Sequence, residues 1–271
     1  MLSAASLFSR VGDCYLWRCS SGEASGALRT DNIREAAKGA YVILPIPSFD
    51  RNGMLNGAGH ISAEELFRLL PCGSDILGAK VNSVTERLAR EHGHNFYDYG
   101  EREDFNLLNA VPTAEAAILL AMEHSPTTIH GSTFCVVGYG RIGKALASRL
   151  SMLGGTVFVA ARSESALAAC ECDGHIPLPL SDMMTSPVKC NACFNTVPVP
   201  IIEKDVLEIW DCPLFLELAS VPGGFTAQAQ KYLCDRYISA LSLPGRYFPI
   251  TAGEIIYKTA LTIIKSKGGK L

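Results

Sequence analysis

From residue 133 onward, two hydrophobic periods alternate along the chain. Thr133–Val137 is a short apolar, β-branched run, the pattern of a buried strand. In the following Arg141–Leu153, the residues Ile142, Leu146, Leu150 and Leu153 share one face at helical spacing. Gly154-Gly155 stops that helix, and Thr156–Ala160 predicts a second strand. Further strands are expected at Ala192–Thr196, Leu214–Leu218 and Tyr237–Leu241, separated by helical or turn segments. This β–α alternation predicts a Rossmann-type, doubly wound parallel sheet with helices on both faces.

The first part of the chain repeats the rhythm more faintly. Cys14–Arg18, Tyr41–Leu44 and Ile76–Ala79 have strand character, and Ser62–Leu70 and Val84–His92 have helix character. A second, smaller α/β domain of flavodoxin-like type is therefore expected over residues 1–110, completed by a C-terminal helix over 252–266. The nucleotide-binding domain is expected over 111–251. Thr113–His124 predicts a connecting helix with Thr113 as its N-cap and Glu115 in its first turn. It and the C-terminal helix would carry the chain between the domains, leaving a cleft.

Composition narrows the function classes. The 271 residues are 48% hydrophobic and 19% charged, which suits a substantial core. The net charge is −3 and there is no basic run, against a nucleic-acid or anionic-membrane surface. No uninterrupted apolar stretch reaches membrane-span length, and MLSAASLFSR lacks the features of a signal peptide. Several of the ten cysteines lie inside apolar runs, as buried thiols of a reducing cytoplasm would. Cys170 with Cys172, and Cys190 with Cys193, fall short of a convergent four-ligand zinc site, so no metal is expected.

The chemistry centres on Gly138-Tyr139-Gly140-Arg141-Ile142-Gly143, a glycine fingerprint set between a strand and an amphipathic helix. Gly138 would make the tight turn, Gly140 would admit the pyrophosphate, and Gly143 would let helix and strand pack closely. The phosphates would sit on N–H groups at the helix start. An NAD site usually has an acid near the end of the second strand. Here Arg162 and Ser163 stand there, suited to a 2′-phosphate, so NADP is expected, with NAD the alternative. Asn195-Thr196-Val197-Pro198 follows the next expected strand and suits the nicotinamide half. The turns at 217–224 and 243–246 complete the C-terminal side of the sheet.

Six stretches together resemble the A-subunit family of dipicolinate synthase. They are NAVPTAEAAILLAMEHSPTTIHGS, VVGYGRIGKALASRL, AARSESAL, FNTVP, LELASVPGG and LPGRYFPITAG, in order across residues 109–253. The resemblance implies pyridine-nucleotide-dependent oxidation of a dihydrodipicolinate-level intermediate of the lysine pathway, giving dipicolinic acid during sporulation. It also implies a small dicarboxylate substrate, a flavoprotein-like B subunit of the same synthase and, with these, a cytoplasmic homo-oligomer. Candidate substrate anchors are Ser220, Gly223, Gly224 and Thr251, with Thr226 and Arg246 as further candidates. Members of the family carry an extra strand and glycine-rich turn ahead of the first helix. This chain starts inside that helix, at about Leu2–Arg10, so either the gene start is misplaced or its small domain is expected to lack an N-terminal strand.

No residue identifies itself as a catalytic acid or base. TAEAAILLAM followed by GYGRIGKAL also resembles the D-2-hydroxyacid dehydrogenases, whose chemistry needs a late histidine and an arginine clamp. The histidines here are His60, His92, His94, His124, His130 and His175. None follows the cofactor-binding core, and ELASVPGG occupies the expected arginine loop. His130, just before the first strand of the nucleotide unit, is expected at the end of the sheet away from the ligand. A nucleotide-binding subunit with catalysis in its partner is the non-enzymatic alternative.

Overall fold

A computed structural model describes residues 1–17, 24–37, 41–57 and 61–268. The chain divides into two units, Met1–Leu108 with Pro249–Leu271, and Asn109–Phe248.

In the first unit, α1 (Leu2–Phe8) leads to β1 (Tyr15–Trp17), β2 (Leu28–Thr30) and the single turn α2 (Ile33–Ala36). Then come β3 (Tyr41–Ile43), α3 (Ala63–Leu69), β4 (Asp75–Gly78), α4 (Ser83–Glu91) and β5 (Asn95–Asp98). Polar side chains start the longer helices. Ser62 accepts from Glu65 N–H and Asn82 from Thr85 N–H, each satisfying a donor that a helix start leaves open. β3, β4 and β5 form a parallel sheet in that order. Its successive side chains face opposite layers: Ile76 joins Leu66, Phe67 and Ala89, whereas Leu77 joins Ala4 and Ile255.

β1 and β2 pair in a separate two-stranded parallel sheet, and Arg18, expected to extend β1, lies outside the described residues. A cavity of about 410 Å³ is lined by Tyr15, Leu16 and Trp17 of β1 and by Tyr41, Val42 and Ile43 of β3. The break in strand pairing thus falls between β1 and β3.

α5 (Glu103–Glu123) corrects the expected connecting helix. Thr113 is not its N-cap: it is buried in mid-helix, and its hydroxyl donates to Asn109 O at 2.7 Å. The helix runs through Pro112, a residue that favours helix starts, and its first turn is too polar to show a hydrophobic period. Glu115 therefore lies within the helix and pairs with Arg149 at 3.3 Å. With a mean hydropathy of 1.4, α5 is the one helix among the described residues long and apolar enough to cross a membrane. Polar residues interrupt its apolar run, so no continuous stretch marks it in the sequence. Its apolar window is 56% buried within the protein, in keeping with a core helix.

The second unit continues with β6 (Thr133–Val137), α6 (Arg141–Met152), β7 (Thr156–Ala161), α7 (Glu164–Cys172) and β8 (Ile176–Pro179). β9 (Ala192–Asn195), α8 (Lys204–Ile209), β10 (Phe215–Glu217), α9 (Ala227–Leu233), β11 (Tyr237–Ser239) and α10 (Leu243–Tyr247) complete it. α11 (Pro249–Ser266) returns to the first unit. The six strands are parallel in the order β11-β10-β9-β6-β7-β8. The order reverses between β6 and β9, where a doubly wound sheet opens its ligand crevice.

Both faces are covered. Phe134 and Val136 of β6 pack with Leu146 and Leu150 of α6, whereas Cys135 and Val137 pack with Val206 and Leu207 of α8. Leu153, expected on the buried face of α6, caps the helix C-terminus and is 46% exposed. The helix has already ended there, since Gly154 takes φ +85°.

Candidate functional site

The glycine-rich turn joins β6 to α6. Gly138 has φ +97°, and a Cβ there would stand 2.5 Å from Thr196 Oγ1. A Cβ on Gly143 would collide with the carbonyl oxygen of Gly138. Both glycines are thus required by the protein itself. Gly140 differs, because the space its Cβ would enter holds no protein atom within 4 Å. It is also the N-cap of α6 and offers no side chain to the first-turn N–H groups. Open space over uncapped helix donors fits a pyrophosphate.

Of the other residues in the fingerprint, Tyr139 and Ile142 turn inward. Tyr139 is buried, and its hydroxyl donates to Asp173 Oδ2 at 2.6 Å. Burial, then the nearby Asp173 carboxylate, push the phenol well above its ordinary range. Ile142 packs against the core of the α6 face. Tyr139 is thus committed within the protein, while Ile142 is half-buried and Arg141 exposed.

Arg162 follows the last residue of β7 and is exposed, with no protein partner among the described residues. Ser163 caps α7, accepting from Ala166 N–H at 3.3 Å. Its own hydroxyl proton stays available to an anion. Two donors thus flank the start of α7, where the helix dipole also favours negative charge.

The segments after β9 and β10 are locked together. Asn195 is fully buried; its amide donates to Val197 O at 2.9 Å and to Glu217 Oε1 at 2.7 Å. Its carbonyl oxygen accepts from Val197 N–H. Thr196 Oγ1 donates to Val137 O at 2.9 Å. Both side chains thus tie segments of the protein to one another. Val197 is half-buried and Pro198 exposed.

The amides of Gly223 and Gly224 are also held within the protein. Gly223 N–H donates to Ser220 O at 2.9 Å and Gly224 N–H to Glu217 Oε2 at 2.6 Å, so neither offers a substrate its amide. Ser220 is exposed on the same loop. Thr226 caps α9, and Arg246 is exposed with its guanidinium 5.7 Å from the Tyr247 ring centre. Thr251 is exposed in α11, which belongs to the first unit.

Nothing in the local sequence marks Glu217 as a site residue, though it lies near the end of an expected strand. It is 3% exposed and raises the phenol of Tyr237, already pushed up by burial, to about 12. The histidines lie elsewhere. His130 is exposed beside Gly154, at the N-terminal end of the sheet, and His60 lies outside the described residues. His175 is buried against Tyr139. Cys190 and Cys193 pack with Cys135 and Cys212 in the core, where thiol–thiol hydrogen bonds and burial push the Cys190 and Cys193 thiols far up. Among the described residues, no three side chains converge to hold a metal.

Comparison with known proteins adds to this geometry. The family description "D-isomer specific 2-hydroxyacid dehydrogenase, NAD binding domain" matches residues 116–186. The chain is 31% identical to the A subunit of dipicolinate synthase from Bacillus subtilis (strain 168) over 238 residues, 84% of this chain and 80% of that protein. The crystal structure of dipicolinate synthase, A chain, from Bacillus subtilis aligns with a TM-score of 0.80 and 28% identity, covering 98% of this chain and 93% of that one. That of the A subunit from Bacillus halodurans aligns with a TM-score of 0.84 at 24% identity, over 97% and 93% of the two chains. The nucleotide-binding unit is thus of the dehydrogenase type, and its cofactor is a pyridine nucleotide.

Proposed function

Since the chain belongs to the A-subunit family of dipicolinate synthase, we propose that it oxidises a dihydrodipicolinate-level substrate to dipicolinic acid with NADP as acceptor. The observation that carries the choice of NADP is Arg162, exposed and unpaired where β7 ends. A guanidinium there forms charge-assisted hydrogen bonds to a 2′-phosphate, with the Ser163 hydroxyl adding another. NAD, lacking that phosphate, would offer these groups only neutral ribose hydroxyls, without the charge-assisted bonds. The open space at Gly140 and the start of α6 would hold the pyrophosphate.

The bound nucleotide supplies a hydride acceptor; the substrate loses that hydride and one proton and becomes an aromatic pyridine. Aromatisation provides much of the driving force, so the protein mainly has to orient the reactants. Ser220 is the proposed anchor for a substrate carboxylate, while Gly223 and Gly224 shape the loop that carries it. The late histidine of a 2-hydroxyacid dehydrogenase is absent, His175 being the last in the chain. A flavoprotein-like B subunit, a homo-oligomer, the cytoplasm and a role in sporulation belong to the same proposal.

The test uses the purified chain, enzymatically generated dihydrodipicolinate, and NADP or NAD, with and without the flavoprotein-like partner. Formation of NADPH together with dipicolinic acid is expected. A chain that bound nucleotide yet formed no product under any of these conditions would be a nucleotide-binding subunit instead.

A further inference from the structure

β9 and β10 end side by side, on Asn195 and Glu217, which are partners in the parallel register. Both side chains are buried, Asn195 completely and Glu217 to within 3%. Three N–H groups converge on the Glu217 carboxylate: Asn195 Nδ2 at 2.7 Å and Ala219 N at 2.9 Å on Oε1, and Gly224 N at 2.6 Å on Oε2. No cation pairs with it among the described residues. The remaining Asn195 amide proton goes to Val197 O, and its carbonyl oxygen takes Val197 N–H. One carboxylate and one carboxamide thus determine the paths of both segments, 195–198 and 217–224.

The neighbouring backbone fits closely around this pair. Gly223 has φ +80°, and a Cβ there would lie 2.7 Å from Glu217 Oε2. A Cβ on Gly224 would collide with the Asn195 carboxamide. Burying a carboxylate without a cation is costly, and here it is offset only by hydrogen bonds. A charge at this position makes sense if the geometry it holds matters more than the stability it costs.

Its place in the sheet indicates what that geometry serves. Thr196, next to Asn195, donates to Val137 O and lies against Gly138 of the glycine-rich turn. In a doubly wound sheet the adenosine half lies on the β7 side of that turn and the nicotinamide half on the β9 side. We propose that Glu217 is a positioning residue for the nicotinamide half of the site, acting through Asn195 and the Gly223-Gly224 loop. This rests on the nucleotide-binding reading above.

The test measures binding of NADP and of 2′-phospho-ADP-ribose, which lacks the nicotinamide, to the full chain and its variants. Glu217→Gln keeps the shape but presents an amide donor to N–H groups that need an acceptor. It is expected to weaken NADP binding about tenfold while changing 2′-phospho-ADP-ribose binding less than about twofold. The exchanged pair Glu217→Gln with Asn195→Asp restores a donor–acceptor contact with reversed roles, and is expected to recover part of the NADP loss. Should Glu217→Gln fail to fold, Glu217→Asp keeps the charge but draws it back from Gly224, and the same split is expected. Equal losses for both ligands, or no loss, would overturn the positioning role. Wild-type chain that bound neither NADP nor NAD would overturn the nucleotide reading as well.

Discussion

The Tyr139 hydroxyl donates to Asp173 Oδ2 at 2.6 Å, tying the glycine-rich turn to the residue that caps the far end of α7. The ring also packs edge-on against His175 and lies 5.3 Å from Lys144 Nζ. Tyr139 therefore braces the turn through its side chain. Tyr139→Phe should lower stability by about 1 kcal/mol, the worth of one partly exposed hydrogen bond. Nucleotide affinity should change less than about threefold. Urea unfolding and calorimetric titration check the pair of outcomes, and a large affinity loss at unchanged stability would contradict the brace.

Two glycines of the same motif should fail in different ways. Gly143→Ala puts a methyl group into the Gly138 carbonyl and should destabilise the unit by about 2 kcal/mol or more. Gly140→Ala meets no protein atom, so its melting temperature should stay close to wild type. Its methyl group would instead occupy the space proposed for pyrophosphate, and binding of NADP and NAD should fall at least about tenfold. Thermal melts alongside titrations distinguish the two; normal binding by Gly140→Ala would remove pyrophosphate from that space.

Replacing Arg162 by an acid should reverse the cofactor preference. Arg162→Asp removes a charge-assisted donor and offers the ribose 2′-hydroxyl an acceptor. NADP affinity is expected to fall about 10- to 100-fold while NAD affinity holds or rises. The ratio of the two dissociation constants is the measurement, and an unchanged ratio would show that Arg162 does not read the 2′-phosphate.

Stability should also depend on pH through His175. Burial holds its imidazole below the ordinary value of 6.5, against an opposing pull from Asp173. The ring contacts Ser151 Oγ at 3.1 Å. As pH falls, the unfolded chain takes up this proton first, so acid favours unfolding. The His175 contribution is present above about pH 6.5 and is lost as pH drops through the lower folded value. The urea midpoint should therefore fall between about pH 8 and about pH 5, and fall less in His175→Asn. Equal falls in the two proteins would locate the acid sensitivity elsewhere.

Local pattern carried far in the second unit. β6 occupies Thr133–Val137, as its apolar β-branched run indicated, and α6 follows with Leu146 and Leu150 buried. Elements with a weak period were harder to read. β2, β5 and β8 are short and mix polar or proline residues among the apolar ones, and the start of α5 is polar and then interrupted by Pro112. Here long-range pairing and burial outweigh local preference.

By itself, the sequence determined the parallel dehydrogenase-type unit, the glycine turn, and a cation where β7 ends, because each depends on neighbours only a few residues away. Tertiary structure alone decided which polar side chains are turned into the protein. Asn195 looks available in the sequence, yet it is turned into the protein by Glu217, 22 residues further on. Tyr139 sits within the fingerprint, yet it is drawn under the turn by Asp173, 34 residues away. Buried polar groups must find partners, and those partners come from strands and helices that only folding brings together.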